Sequence, residues 1–238
     1  MSNDKSAQRP CAVVTGSSSG IGQCIAEHLL LNGWQVIGLD MAPPTIHHPH
    51  LTTLQVDLSD HTAIMAVSTK LTDIRAFVHA AGVLRVGRLG ELDAMNGELM
   101  WRIHTQAAIS LANVLIPQMV KQKQGRVVFV GSRVAQGMPG RSQYAATKAA
   151  LIALTRSWAS EVASAGVTVN VVSPAATQTT MLSDPARATS APRLPPLGRL
   201  IQPQEIADLV AFLLSPSAAA ITGQDIAICG GASLPQYT

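Results

Sequence analysis

The sequence predicts an α/β fold built on one doubly wound parallel sheet. Three observations predict it. Short apolar runs alternate with longer helix-like segments along the chain, the pattern of a parallel sheet wound by right-handed crossovers. The composition is 47% hydrophobic and 13% charged, which suits strands covered on both faces. A glycine-rich turn follows the first apolar run, where such sheets place phosphate groups. The 238 residues are read as one domain, 1–238, long enough to bury a large core.

The elements follow in order. Cys11–Thr15 (CAVVT) is apolar throughout and reads as a buried strand. Residues 21–31 read as the first helix and 35–39 (QVIGL) as the second strand. Residues 53–56 are a weaker third strand, and 60–71 a helix with Ser59 as its N-cap. Residues 76–79 form the fourth strand. A long helix is expected over 95–121, with Gly125 beyond its end. Residues 126–130 (RVVFV) form the fifth strand, and 143–163 a helix stopped near Gly166. Residues 168–172 form the sixth strand. Pro203 introduces a helix over 205–214, and 225–228 close the sheet as the seventh strand. Residues 41–50 and 180–196 read as loops, the second a substrate loop, and 1–9 as a flexible start.

Bulk properties narrow the function. The formal net charge is +3, with no run of Lys or Arg, so no nucleic-acid partner is expected. Three cysteines without a C-x-x-C pair point to a reducing compartment, read as the cytoplasm. The polar N-terminus lacks a signal-peptide core, and no run approaches the ~20 apolar residues of a membrane span, so no membrane association is expected. His47, His48 and His50 read as a solvated loop cluster, and no metal site is expected. Cys229 reads as a small buried residue, and Met95, Met100 and Met119 as packing residues.

Two stretches carry chemistry. TGSSSGIG, 15–22, joins the first strand to the first helix. Gly16 permits a tight turn. Gly20 and Gly22 allow a pyrophosphate close to the backbone and to the helix N-terminus. Asp40 ends the second strand eighteen residues after Gly22. A carboxylate there accepts hydrogen bonds from ribose hydroxyls and repels a 2′-phosphate. No Arg or Lys lies in 17–19 or 41–43, so NAD is expected and NADP disfavoured. Further along, Tyr144 and Lys148 stand four residues apart on one helical face. A free phenol has a pKa near ~10 and is a poor base at neutral pH. A neighbouring ammonium favours the phenolate, and the pair can then move a proton as hydride moves. Ser132 ends the fifth strand and is placed to hold the substrate oxygen.

The order TGSSSGIG, HAAG (79–82), Ser132, YAATK (144–148), NVVSPAATQT (170–179) and ITGQDIAICGG (221–231) resembles the short-chain dehydrogenase/reductase family over nearly the whole chain. The resemblance implies a seven-stranded Rossmann domain of strand order 3-2-1-4-5-6-7, assembled as a homotetramer. It implies that Tyr144 is the general acid/base, that Lys148 binds the nicotinamide ribose, and that Ser132 orients the substrate. It implies a cofactor site of Gly16, Ser18, Ser19, Ile21, Asp40, Asp57, Leu58, Ala80, Ala81, Gly82, Tyr144, Lys148, Pro174, Thr177 and Thr179.

Four departures stand out against that family. His79 replaces an Asn that ties strands together. His104 falls where a fourth catalytic residue, an Asn, holds a water linked to the lysine. An imidazole both donates and accepts, so His104 is a candidate catalytic residue that can also titrate near neutral pH; packing at a helix kink is the other reading. Ala175 replaces a Gly beside the nicotinamide, narrowing that space. The Ser132-to-Tyr144 spacing is one shorter than in most members. The expected activity is hydride transfer between NAD and a secondary or cyclic alcohol or ketone of small to medium size. Residues 81–87 resemble the 2,3-dihydro-2,3-dihydroxybenzoate dehydrogenases, in which case Arg85 or Arg133 pairs with a carboxylate. The C-terminal half resembles 3-ketoacyl-carrier-protein reductases, so an NADPH-dependent 3-ketoacyl-thioester reductase stays open. A non-catalytic NAD(H)-sensing module is the alternative of another class.

Overall fold

Seven segments pair side by side, all parallel, in the order β3-β2-β1-β4-β5-β6-β7. These are β1 (Cys11–Thr15), β2 (Gln35–Asp40), β3 (Leu51–Gln55), β4 (Ile74–His79), β5 (Gly125–Val130), β6 (Val167–Pro174) and β7 (Asp225–Ile228). The computed structural model describes residues 9–183 and 194–235. The expectation for 1–9 falls almost wholly outside them, as does most of the 180–196 loop.

Alternation along the strands sorts the core into two layers. Ala12 and Val14 of β1 face α1 (Gly20–Leu31) and α6 (Pro203–Leu214), against Ile25, Leu29, Ile206 and Val210. Val13 faces the other way, with Phe77 and Phe129, toward α2 (His61–Ser68), α4 (Ala107–Lys121) and α5 (Ser142–Val162). Strand order reverses between β1 and β4, and a cleft opens there at the carboxyl ends of the strands.

Most boundaries shift by one to three residues, and three differences have a clear physical cause. β3 starts at Leu51, since its pairing with β2 runs from Val36↔Leu51 to Asp40↔Gln55. Asp60, not Ser59, caps α2. Its Oδ1 accepts from the N–H groups of Thr62 and Ala63, while the Ser59 hydroxyl is spent on Asp57. The helix expected over 95–121 is three pieces. α3 (Ala94–Trp101) leads into a π-turn, Arg102–Gln106, and then α4. A π-turn carries one extra residue per turn, so a carbonyl is left to find another partner. His79 supplies it, its Nε2 lying 3.1 Å from the Ile103 carbonyl oxygen. Among the described residues no helix is long and apolar enough to cross a membrane.

Candidate active site

The cleft has a volume of about 870 Å³, room for a dinucleotide and a small substrate together. Its end beside β1 and β2 is walled by backbone. Gly16 turns with φ +68°, and a Cβ there would lie 2.9 Å from Ala81 Cα. A Cβ on Gly22 would meet the Gly16 carbonyl oxygen at 2.2 Å. Both glycines are therefore required by close approach of backbone to backbone. Ser19 caps α1 in an extended conformation without a side-chain bond, so the first-turn N–H groups of α1 stay available to an anion. This cradle fits a pyrophosphate.

Asp40 stands at the end of β2 and lines the cleft with Met41, Val56, Asp57 and Leu58. Its Oδ2 accepts from the Ser18 N–H and its Oδ1 from the Ala42 N–H, both at 2.9 Å. Those two bonds aim the carboxylate and leave lone pairs for ribose hydroxyls. Ser18 itself is buried and lies behind the lining. Its N–H braces Asp40, and its hydroxyl donates to the Ala42 carbonyl. Gly38, which sequence reading missed, makes room beneath: a Cβ there would sit 2.4 Å from Ser17 Oγ.

The opposite end is built from buried side chains. Lys148 is 3% exposed, and its ammonium donates to the Val130 carbonyl at 2.9 Å. Burial pulls its pKa down to about 8. The ammonium lies 5.8 Å from the centre of the Tyr144 ring. Ser132 caps a short turn after β5, its Oγ accepting from the Val134 N–H at 3.2 Å. Ala80, Ala81, Gly82, Pro174, Ala175, Thr177 and Thr179 complete this lining, as does Ile21 at the start of α1.

His104 does not face the cleft. It is fully buried, with Nε2 accepting from the Val83 N–H at 2.9 Å and Nδ1 2.8 Å from Thr147 Oγ1. Burial first, and the Lys148 charge second, hold it well below the usual histidine range. The expectation that it titrates near neutral pH is therefore corrected. Cys229 also departs from expectation. It is half-buried. Burial pushes its thiol up, but hydrogen bonds from Ser233 and neighbouring backbone leave the pKa lowered.

Beyond Ser132 the cleft is lined by the expected Arg133, by Val83 of the 81–87 stretch, and by further residues that no motif flagged. Val83, Val134, Met138, Pro139, Leu182 and Leu194 make it apolar. Arg133 and Arg141 add charge. Arg85 does not line the cleft; its guanidinium donates to the Leu84 carbonyl. The available signal was Gly137 and Gly140, both at positive φ, which mark a folded loop between Ser132 and Tyr144.

Comparison with known proteins bears on this geometry. Residues 16–233 match the family model described as enoyl-(acyl carrier protein) reductase. The 3-oxoacyl-[acyl-carrier-protein] reductases FabG of Vibrio cholerae and Escherichia coli are each 36% identical over 234 residues, covering 92% of this chain and 96% of theirs. A solved short chain dehydrogenase family protein from Francisella tularensis superposes with a TM-score of 0.87 at 26% identity, covering 95% of this chain and 100% of its own. Fold, cleft and relatives define an NAD(P)-dependent oxidoreductase acting on CH–OH and keto groups. Within that class, the chain belongs to the short-chain dehydrogenase/reductase family.

Proposed function

We propose that this enzyme interconverts a small to medium secondary or cyclic alcohol and its ketone using NAD, with Tyr144 as general acid/base. The observation that carries this reading is the buried Lys148 ammonium beside the Tyr144 ring. Its charge favours the phenolate in a site of low dielectric. Tyr144 takes the alcohol proton as the C–H bond breaks, and returns it when the ketone is reduced. Ser132 accepts the Val134 N–H, so its own O–H donates to the substrate oxygen. Bound nicotinamide supplies the hydride acceptor or donor. Tyr144→Phe tests the assignment: turnover falls ~1,000-fold while NADH titration changes little. Retained turnover would remove Tyr144 from the mechanism.

Asp40, with Asp57 nearby and no cation lining the adenosine end among the described residues, supports NAD over NADP. Arg133 makes no hydrogen bond or ion pair among the described residues and stands next to Ser132 on the apolar substrate side. It suits a substrate bearing a carboxylate near the reacting carbon. Arg133→Met then raises KM for a carboxylated cyclic alcohol ~10-fold or more and leaves its amide analogue unaffected. The printed activity of the FabG relatives favours a second reading, reduction of 3-oxoacyl thioesters with NADPH. Turnover confined to such thioesters with NADPH would overturn the first. Assembly as a homotetramer and a cytoplasmic location belong to the same proposal; light scattering of the purified chain reads the former.

A further inference from the structure

Two positions where this chain departs from its family, 79 and 104, are both histidine, and the fold brings them to one place. His79 is fully buried at the end of β4, and His104 is fully buried in the π-turn. The hydrogen-bond network dictates each tautomer. Thr15 Oγ1 accepts from the N–H groups of Ala80 and Ala81, so its own proton goes to His79 Nδ1, 3.0 Å away. His79 Nε2 must then carry the hydrogen that reaches the Ile103 carbonyl. For His104 the order reverses. Nε2 accepts from the Val83 N–H, so Nδ1 carries the hydrogen and donates to Thr147 Oγ1. Thr147 in turn donates to the Tyr144 carbonyl at 2.8 Å.

The two rings are joined through one peptide, Ile103 to His104. Burial lowers both from the ordinary histidine range, His79 to about 3. Each uses both nitrogens, so neither has a spare site for a relayed proton. Gly82 makes space for the second ring: a Cβ there would meet His104 Nε2 at 3.1 Å and Lys148 Nζ at 3.6 Å.

We propose that His79 and His104 act as one positioning unit, a pair of opposite imidazole tautomers that pins the π-turn between the cleft floor and α5 and thereby sets where Tyr144 and Lys148 stand. The chain of bonds ends on the backbone of the helix turn that carries both. The proposal rests on the oxidoreductase reading above for its consequence, not for its geometry.

Three measurements on the full chain test it. Nitrogen-15 NMR at pH 7 is expected to show hydrogen on Nε2 of His79 and Nδ1 of His104; the reverse assignment, or a protonated ring, overturns the pair. In a Tyr237→Phe background, leaving Tyr144 as the single tyrosine, His104→Asn is expected to move the phenol titration upward by about one pH unit. An unmoved phenol overturns the positioning role. With an alcohol substrate, His79→Asn and His104→Asn are each expected to lower kcat ~10- to 100-fold with KM for NAD nearly unchanged. The double variant is expected to lose less than the product of the two, as coupled sites do; losses that simply multiply overturn the unit. Correct tautomers and a shifted phenol without turnover of any alcohol would count against the substrate reading alone.

Discussion

The two ends of the cleft are made of different material. At the glycine-rich end the contacts come from backbone, with Gly16 and Gly22 admitting main chain to within van der Waals limits. At the other end they come from side chains held by side chains: Lys148 on a carbonyl, and Tyr144 on a helix tied through Thr147 and His104. The first end depends on what is absent from a residue, and the second on what surrounds it. A backbone-built wall tolerates no added atom. A network-built wall tolerates change unevenly, according to how many bonds each member carries.

The comparison breaks most sharply at its chemical centre. The ~1,000-fold loss expected of Tyr144→Phe with cofactor binding intact would show that the two ends act independently; parallel loss of both would show that they do not. Next is Gly22→Ala. Its Cβ would meet a carbonyl oxygen at 2.2 Å, and overpacking of this kind costs about 3 kcal/mol. A clear fall in Tm together with loss of NADH binding is expected in melting and fluorescence titrations. Normal binding would mean that the turn adapts.

Lys148→Met sharpens the other side. The ammonium is buried, with its pKa down at about 8 against an ordinary 10.5. The folded state therefore holds fewer protons than the unfolded state between those values. Stability rises with pH across that window, and the cost is fully present below pH 8. At about 1.4 kcal/mol per unit, the cost is on the order of 3 kcal/mol. In denaturant titrations without cofactor, the wild type is expected to gain on Lys148→Met between pH 8 and 10.5. At pH 7 the variant is inactive and no less stable, because the orphaned Val130 carbonyl offsets part of its gain. Equal pH slopes for the two proteins would contradict the buried charge. The smallest effect belongs to Asp40→Asn, which keeps an acceptor but loses the charge. A ~10-fold fall in preference for NAD over NADP is expected from the two KM values.

What could be read from residues alone follows the same division. The strands were legible because a parallel sheet buried on both faces demands continuous apolar runs, and Cys11–Thr15 is one. Gly16, Asp40, Tyr144 and Lys148 were legible because their chemistry lies in residue type and short spacing. Ser59 was the expected cap; the role fell to Asp60, whose carboxylate takes the first-turn N–H groups while the Ser59 hydroxyl is held by Asp57. Ser18 was expected in the cofactor site; that its N–H also holds Asp40 could not be read from residue type. The break at Arg102–Gln106 left no mark in the apolar pattern, and only the reading of His104 as packing at a helix kink pointed to it; the partner that stabilises it comes from β4.

By itself, then, the sequence determined the layered sheet, the glycine-rich turn and the spacing of phenol and ammonium, because each follows from local geometry and the burial of apolar side chains. Only the tertiary structure decided which polar groups face the cleft and which stand behind it. That choice depends on satisfying every buried donor and acceptor at once, across elements distant in the chain.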